Sequence, residues 1–462
     1  MKKGNKIISG ALALGLGAIA AKLLGALYRV PLTRILGGEG IGLYQTVFPV
    51  YALLLDFAGA AAPSALSALI AAEETDREIR AKKYLSVSLK IFSVTGIFFS
   101  LLMLALSARL AAWQGEAGAY RLYIYLAPAI FLSCLISSFR GYFQGLMDMK
   151  PTALSQVLEQ LVKLIAGLAF SKLFMPDIIA ASAGAVLGIT LSEAITLLWL
   201  YGVYLRHVKR ALPGKSAGLL VRGKFDGECA VRLIKTAVPV TLLGLMLPLS
   251  NVVDTFILVN VLKINFENAT ALFGLLSGVA MTMVGLPVAV CHGLSAVAIP
   301  AVSGASTAAE KTKNAQKTLL LTLAVSLPAA AALYLAAPLA VSLLFGGLGA
   351  EEKAEAVRLI QYLSPAVFLL SMLQTENAIL IGMKKINISV IGMAAGIGVK
   401  IALELTLVND PAIGIYGGAA AILACYFFAD LINLIPIIFR AREKAGVYGN
   451  KVARRREPTS SE

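Results

Sequence analysis

Lys22 and Arg29 stand seven residues apart in an otherwise apolar stretch. Seven residues are close to two helical turns, so a helix puts both cations on one face, about 10 Å apart along its axis. Fixed cations lining a cavity suit a phosphate or pyrophosphate, and arginine adds a planar fork of donors. Arg34 follows, off that face. The competing reading is snorkelling, in which Arg29 and Arg34 reach headgroups from near a membrane interface. Lys163 and Lys400 sit deeper in their apolar stretches, each with a glutamate four residues away, Glu159 before the first and Glu404 after the second. Both readings stand for these lysines: a cavity cation, or an ion pair on one helix face. A charge in hydrocarbon costs about 2.5–3.5 kcal/mol unless it faces protein or water, so each is a candidate site residue.

Among the acids in apolar stretches, Asp254 has Asn251 and Thr255 beside it. Such oxygen-bearing groups coordinate Na⁺ or relay a proton, which makes this trio the candidate ion-coupling site. For Asp56, Glu159, Glu193, Glu376, Glu404 and Asp430 an internal salt bridge or hydrogen bond is the simpler expectation. The four cysteines have no paired spacing, so neither a zinc site nor a disulfide framework is expected. No phosphate-binding loop, zinc-protease motif or nucleophile elbow occurs, and the glycine run 37–42 follows no strand. A transporter is expected rather than an enzyme, with no cofactor besides a coupling Na⁺ or H⁺.

The elements that must position these residues follow from composition. Of 462 residues 58% are apolar and 15% charged, which suits a chain dissolved in lipid. The net charge of +15 does not point to nucleic acid, because the cations fall between apolar stretches and not on a folded patch. In hydrocarbon every backbone polar group must be paired within its segment or in a closed barrel, and alternating strands are absent, so helices are required. Twelve spans fit, over 7–33, 42–71, 85–108, 119–143, 152–175, 178–205, 236–260, 269–301, 316–345, 357–381, 386–408 and 412–439. The glycine run 37–42 is expected outside helix. Most of the 41 lysines and arginines lie on the side of the N-terminus, which places both termini in the cytoplasm.

The basic, glycine-bearing segment 206–235 divides the spans six and six. The expected organisation is an N-terminal lobe over 1–205, this linker, a C-terminal lobe over 236–440 and a basic tail over 441–462. Residues 145–163 and 382–400 span equal intervals, each passing from a Gly-containing basic turn into a helix with one lysine three turns in. That reads as an internal repeat, the mark of transporters built from two related halves.

The stretches RVPLTRILGGEGIGLYQ at 29–45 and RGYFQGLMDMKPTALSQVLEQLVK at 140–163 closely resemble the stage V sporulation protein B branch of the multidrug/oligosaccharidyl-lipid/polysaccharide exporter superfamily. The resemblance covers essentially the whole chain. It implies an all-α membrane protein of two six-helix lobes in the bacterial inner membrane, which flips an undecaprenyl-pyrophosphate-linked oligosaccharide outward for wall, spore-cortex or polysaccharide synthesis. Proteins of those pathways are the implied partners besides the lipid substrate and the bilayer. In the related lipid II flippases the first helix carries two cavity arginines, which Lys22 and Arg29 match in position. Arginines of the second and eighth helices have no counterpart in YALLLDFAGA or GVAMTMVGLP, leaving Lys163 and Lys400 as substitutes. Asp254 resembles the family's seventh-helix cation-site aspartate. The rival within the superfamily is a cation-coupled drug or metabolite antiporter, and a rival outside it is a membrane scaffold that transports nothing.

Overall fold

The computed structural model describes residues 2–60, 62–73, 77–211, 226–303, 307–383 and 385–454. Within these, side chains are not described at most positions before 24, at 26, 60, 211, 239–240, 242–243, 292–301, 303 and 308, or beyond 437. The regular structure of the described chain is all helix, with no strand among the described residues. Eleven of its helical stretches are long and apolar enough to cross a membrane. The protein is an all-α integral membrane protein.

Helix α1 runs from Lys2 to Leu55 and joins the first expected span to the start of the second. Its glycine run is helical except at Gly37, whose φ of 65° turns the chain. The expectation that 37–42 lies outside helix is corrected here. These glycines serve close packing: a Cβ on Gly42 would stand 2.1 Å from the Thr270 carbonyl oxygen, and one on Gly274 would stand 2.5 Å from that of Gly38. A π-helical turn at Asp56–Ala60 leads into α2 (Ala62–Ala71). Then come α3 (Arg77–Trp113), α4 (Tyr120–Gly145), α5 (Lys150–Leu173) and α6 (Ile178–Ala211).

The single span expected over 236–260 is two helices, α7 (Gly227–Gly244) and α8 (Met246–Asn265). Asp226 starts α7 by accepting a hydrogen bond from the Cys229 amide at 3.0 Å. A short α9 (Ala269–Phe273) continues through a π-helical segment at Gly274–Ala280 into α10 (Met281–Ser303). The remaining helices are α11 (Ala308–Leu344), α12 (Ala350–Leu363), α13 (Pro365–Gly382), α14 (Ile386–Leu407) and α15 (Ile415–Arg454). In both copies of the sequence repeat the glycine closes a helix: Gly145 ends α4 and Gly382 ends α13, each followed by a short turn and the lysine-bearing helix.

The chain forms two compact units, Met1–Thr282 with Pro338–Val357, and Met283–Ala337 with Arg358–Glu462. In the first, α7 packs on α2 and α3, and α1 lies against α5, α6, α8 and α9. Its core is aliphatic and tyrosine-rich, with Tyr28, Tyr44, Tyr123, Tyr142 and Tyr204 fully buried. Gly188 lets α6 meet α5 backbone to backbone, since a Cβ there would fall 2.4 Å from the Cα of Gly167. In the second unit Gly396 does the same for α14 and α15, against the Cys425 carbonyl.

Candidate functional site

In the first unit α1 presents Tyr28 and Arg29 on adjacent faces. Tyr28 is buried, and its hydroxyl donates to the Ala185 carbonyl on α6 at 3.4 Å. Arg29 is half-buried and donates from Nη1 to Thr282 Oγ1 at 2.5 Å. The Thr282 hydroxyl in turn donates to the Gly278 carbonyl, so the guanidinium is anchored to the π-helical segment through a hydroxyl and not through an acid.

Lys163 arrives from α5. Its ammonium lies over two rings of α1, 5.3 Å from the centroid of Tyr28 and 5.5 Å from that of Phe48. Aromatic faces attract a cation without neutralising it. Glu159, one turn earlier, does not pair with it. Glu159 instead binds Arg140 on α4 at 2.7 Å, while Arg140 Nε donates to Ser155 Oγ at 2.9 Å. Of the two readings kept for Lys163, the ion pair with Glu159 is therefore not the one formed, and Lys163 makes no ion pair among the described residues.

Glu193 completes the group. It is buried on α6, shares a hydrogen bond with Ser133, and lies within electrostatic reach of Glu159, Arg140 and Lys163. Sequence reasoning missed Arg140 as a member, because it closes an apolar stretch beside the basic turn and looks like one more cation of that turn. Its spacing from Gly145, the helix end, was the available signal: five residues place it more than one turn inside α4.

Arg34 does something else. It is exposed, and its Nε donates to the Leu344 carbonyl at 3.0 Å while Nη2 donates to that of Leu343. These are the last carbonyls of α11, which lack intrahelical partners and carry the negative end of the helix dipole. Lys22 lies on α1, but its side chain is outside the described residues. Lys400 belongs to the second unit, buried on α14 with Glu404 one turn on, also buried.

The ion-coupling trio is on α8, with its members in different surroundings. Asn251 is exposed, Asp254 is half-buried and Thr255 is fully buried. The Thr255 hydroxyl donates to the Val252 carbonyl and accepts from Gln114 Nε2 at 2.9 Å. Gln114 also donates to the Thr46 carbonyl and accepts from the Tyr123 hydroxyl at 2.6 Å, so one amide ties the start of α4 to α1 and α8. No cluster of three or more metal-ligating side chains occurs among the described residues.

The second unit holds another polar group in its interior. Glu376 on α13 and Asp430 on α15 are buried facing each other, and Asn433 Nδ2 donates to Asn377 Oδ1 at 3.0 Å one turn away.

A model of polysaccharide biosynthesis proteins matches residues 7–306. Among curated relatives, stage V sporulation protein B of Bacillus subtilis (strain 168) is 28% identical over 95% of this chain and 86% of its own. The lipid II flippase MurJ of the same organism is 26% identical over 88% of this chain and 78% of its own. A solved inward-facing multidrug resistance MATE family transporter of the MOP superfamily superposes with a TM-score of 0.73 at 18% identity, covering 91% of this chain and 96% of its own. That likeness is one of fold.

Proposed function

The chain belongs to the polysaccharide biosynthesis protein family, and from that premise we propose that it is a flippase for a polyprenyl-pyrophosphate-linked oligosaccharide. The observation that carries this reading is Lys163, a cation held over the rings of Tyr28 and Phe48 with no ion pair of its own among the described residues. With Arg29, anchored by a hydroxyl, it supplies positive charge inside the first unit for an anionic headgroup. Lys22 extends this set along α1, and Lys400 is the counterpart cation of the second half. The sugars travel through the protein's polar interior while the polyprenyl chain remains in lipid.

The protein is multi-pass, and its seat is the bacterial inner membrane with both termini in the cytoplasm. Asp254 is the residue proposed to couple Na⁺ or H⁺ movement to rocking of two six-helix halves, with Asn251 and Thr255 as neighbouring oxygens. Proteins of wall, spore-cortex or polysaccharide synthesis consume the product.

Outward translocation of fluorescent lipid II in proteoliposomes tests the reading. Flipping by the unmodified protein that is lost in Arg29→Ala/Lys163→Ala supports it. A folded, correctly inserted protein that flips neither lipid II nor another lipid-linked glycan, with or without an ion gradient, refutes it. Efflux of cationic drugs by that same preparation would favour the antiporter.

A further inference from the structure

Glu193 is 6% exposed on α6, an ionisable side chain deep in the first unit. Three other helices close around it. From α4 come Ser133, its hydrogen-bond partner, with Cys134 and Arg140; from α5 come Glu159 and Lys163; from α1 comes Tyr51, whose hydroxyl lies 3.4 Å from Ser133 Oγ. The charges of this group stand two against two. Arg140 is bonded to Glu159 at 2.7 Å, so Lys163 is the cation left to offset Glu193, through space and with no direct ion pair between them. Exposure divides their roles: Lys163 is half-buried, with surface left for a headgroup, whereas Glu193 is enclosed.

A pyrophosphate that binds Lys163 cancels that offset. Glu193 is then a buried charge beside Glu159 and an incoming anion, the arrangement in which a carboxyl gives up its charge most readily. A metal ion is a poor answer, because Arg140 and Lys163 already stand in the group and repel it. A proton needs no coordination shell. Ser133 holds the carboxyl in either state, since a hydroxyl donates to a carboxylate and accepts from a carboxylic acid. We propose that each pyrophosphate headgroup bound at Lys163 brings one proton onto Glu193. The proton comes from solvent and forms one O–H bond on the carboxyl; no bond of the substrate breaks. Linkage makes the effect reciprocal: lower pH tightens headgroup binding, and a bound headgroup keeps the proton in place. This sets a proton beside the substrate in the first unit, apart from the coupling role proposed for Asp254 on α8.

This inference rests on the flippase reading for its anion, and its test reads binding rather than transport. Undecaprenyl pyrophosphate is titrated calorimetrically into the full chain in detergent, at one pH, in buffers of different ionisation enthalpy. The slope of the observed heat against that enthalpy counts the protons taken up, and Glu193→Gln supplies the background from the pyrophosphate's own titration. The unmodified protein should take up about one proton more per headgroup than Glu193→Gln, and its Kd should rise by up to about tenfold per pH unit where that of the variant is nearly flat. Weaker binding by Glu193→Gln at every pH, with the proton count unchanged, gives the carboxyl a structural role and overturns the inference. Infrared difference spectra of the unmodified protein decide the matter even where the variant fails to fold: a carboxylic acid C=O band must appear on binding, and its absence overturns the inference. Flipping by the same preparation separates the two ideas. Flipping with equal proton counts removes the linkage alone, whereas neither binding nor flipping removes the flippase reading and the linkage with it.

Discussion

Arg140 and Glu159 are joined at 2.7 Å between α4 and α5, and this bond decides the surroundings of Lys163 one turn further on. With the acid taken by Arg140, the lysine is left to Tyr28 and Phe48. Arg140→Ala would strand Glu159 in a site only 19% exposed. Breaking a buried pair on one side costs about 3 kcal/mol here, at the low end of the usual range because both groups keep some exposure. Thermal unfolding in detergent should show that loss, and Arg140→Ala/Glu159→Ala should recover most of it. Equal loss in the single and double variants would mean that the pair does not set the energetics.

Lys163 itself is expected to matter for transport more than for folding. Lys163→Ala removes cation–π attractions of about 0.5–2 kcal/mol and breaks no ion pair among the described residues. The initial flipping rate should fall about tenfold or more, while the unfolding midpoint moves little. Lys163→Arg should keep most of the rate. A variant that flips normally would take Lys163 out of the substrate path.

Arg34 gives the opposite pattern. Its hydrogen bonds close the end of α11, so Arg34→Ala should destabilise the protein by about 1 kcal/mol and leave flipping per folded molecule unchanged. A large loss of transport without a stability change would instead return Arg34 to the substrate site.

On α8, the two neighbours Asp254 and Thr255 should separate cleanly. Thr255→Val leaves Gln114 one acceptor short and costs about 1–3 kcal/mol in stability without changing the ion dependence of transport. Asp254→Asn should abolish the stimulation by an imposed Na⁺ or H⁺ gradient. Ion dependence lost in the threonine variant and retained in the asparagine variant would reverse the assignment.

Asp226 carries a pH signature outside the membrane. Its hydrogen bond from the Cys229 amide and its contact with Lys83 hold the carboxyl at about 2, below the usual range near 3.9. A depressed folded-state value stabilises the start of α7 at pH values above about 4, and that contribution disappears as pH falls from about 4 to 2. Hydrogen exchange at Cys229 and Ala230 should lose protection over that window, and Asp226→Asn should flatten the response.

Composition and the run of apolar stretches made the helical membrane fold legible, because hydrocarbon leaves the backbone few alternatives. The helix boundaries around Gly37 and Leu245 were not. Glycines 38–42 count against helix in water, yet here they buy close contact with Thr270 and Gly274. Lys163 and Arg29 were visible as charges in apolar surroundings. Their partners were not, since whether Glu159 turns to Lys163 or to Arg140 depends on where α4 packs, and spacing along α5 says nothing about that. Gln114 was invisible for a related reason: an amide beside a turn looks solvated until three other elements close over it.

The first unit includes Pro338–Val357, and Arg34 meets its carbonyl partner 310 residues later in the chain. A ribosome delivers those residues long after α1 has entered the membrane. The unit that begins first is therefore completed late, its assembly waiting on the translation of α11, so a nascent chain truncated before Pro338 exposes an unfinished surface to the insertion machinery and to quality-control proteases.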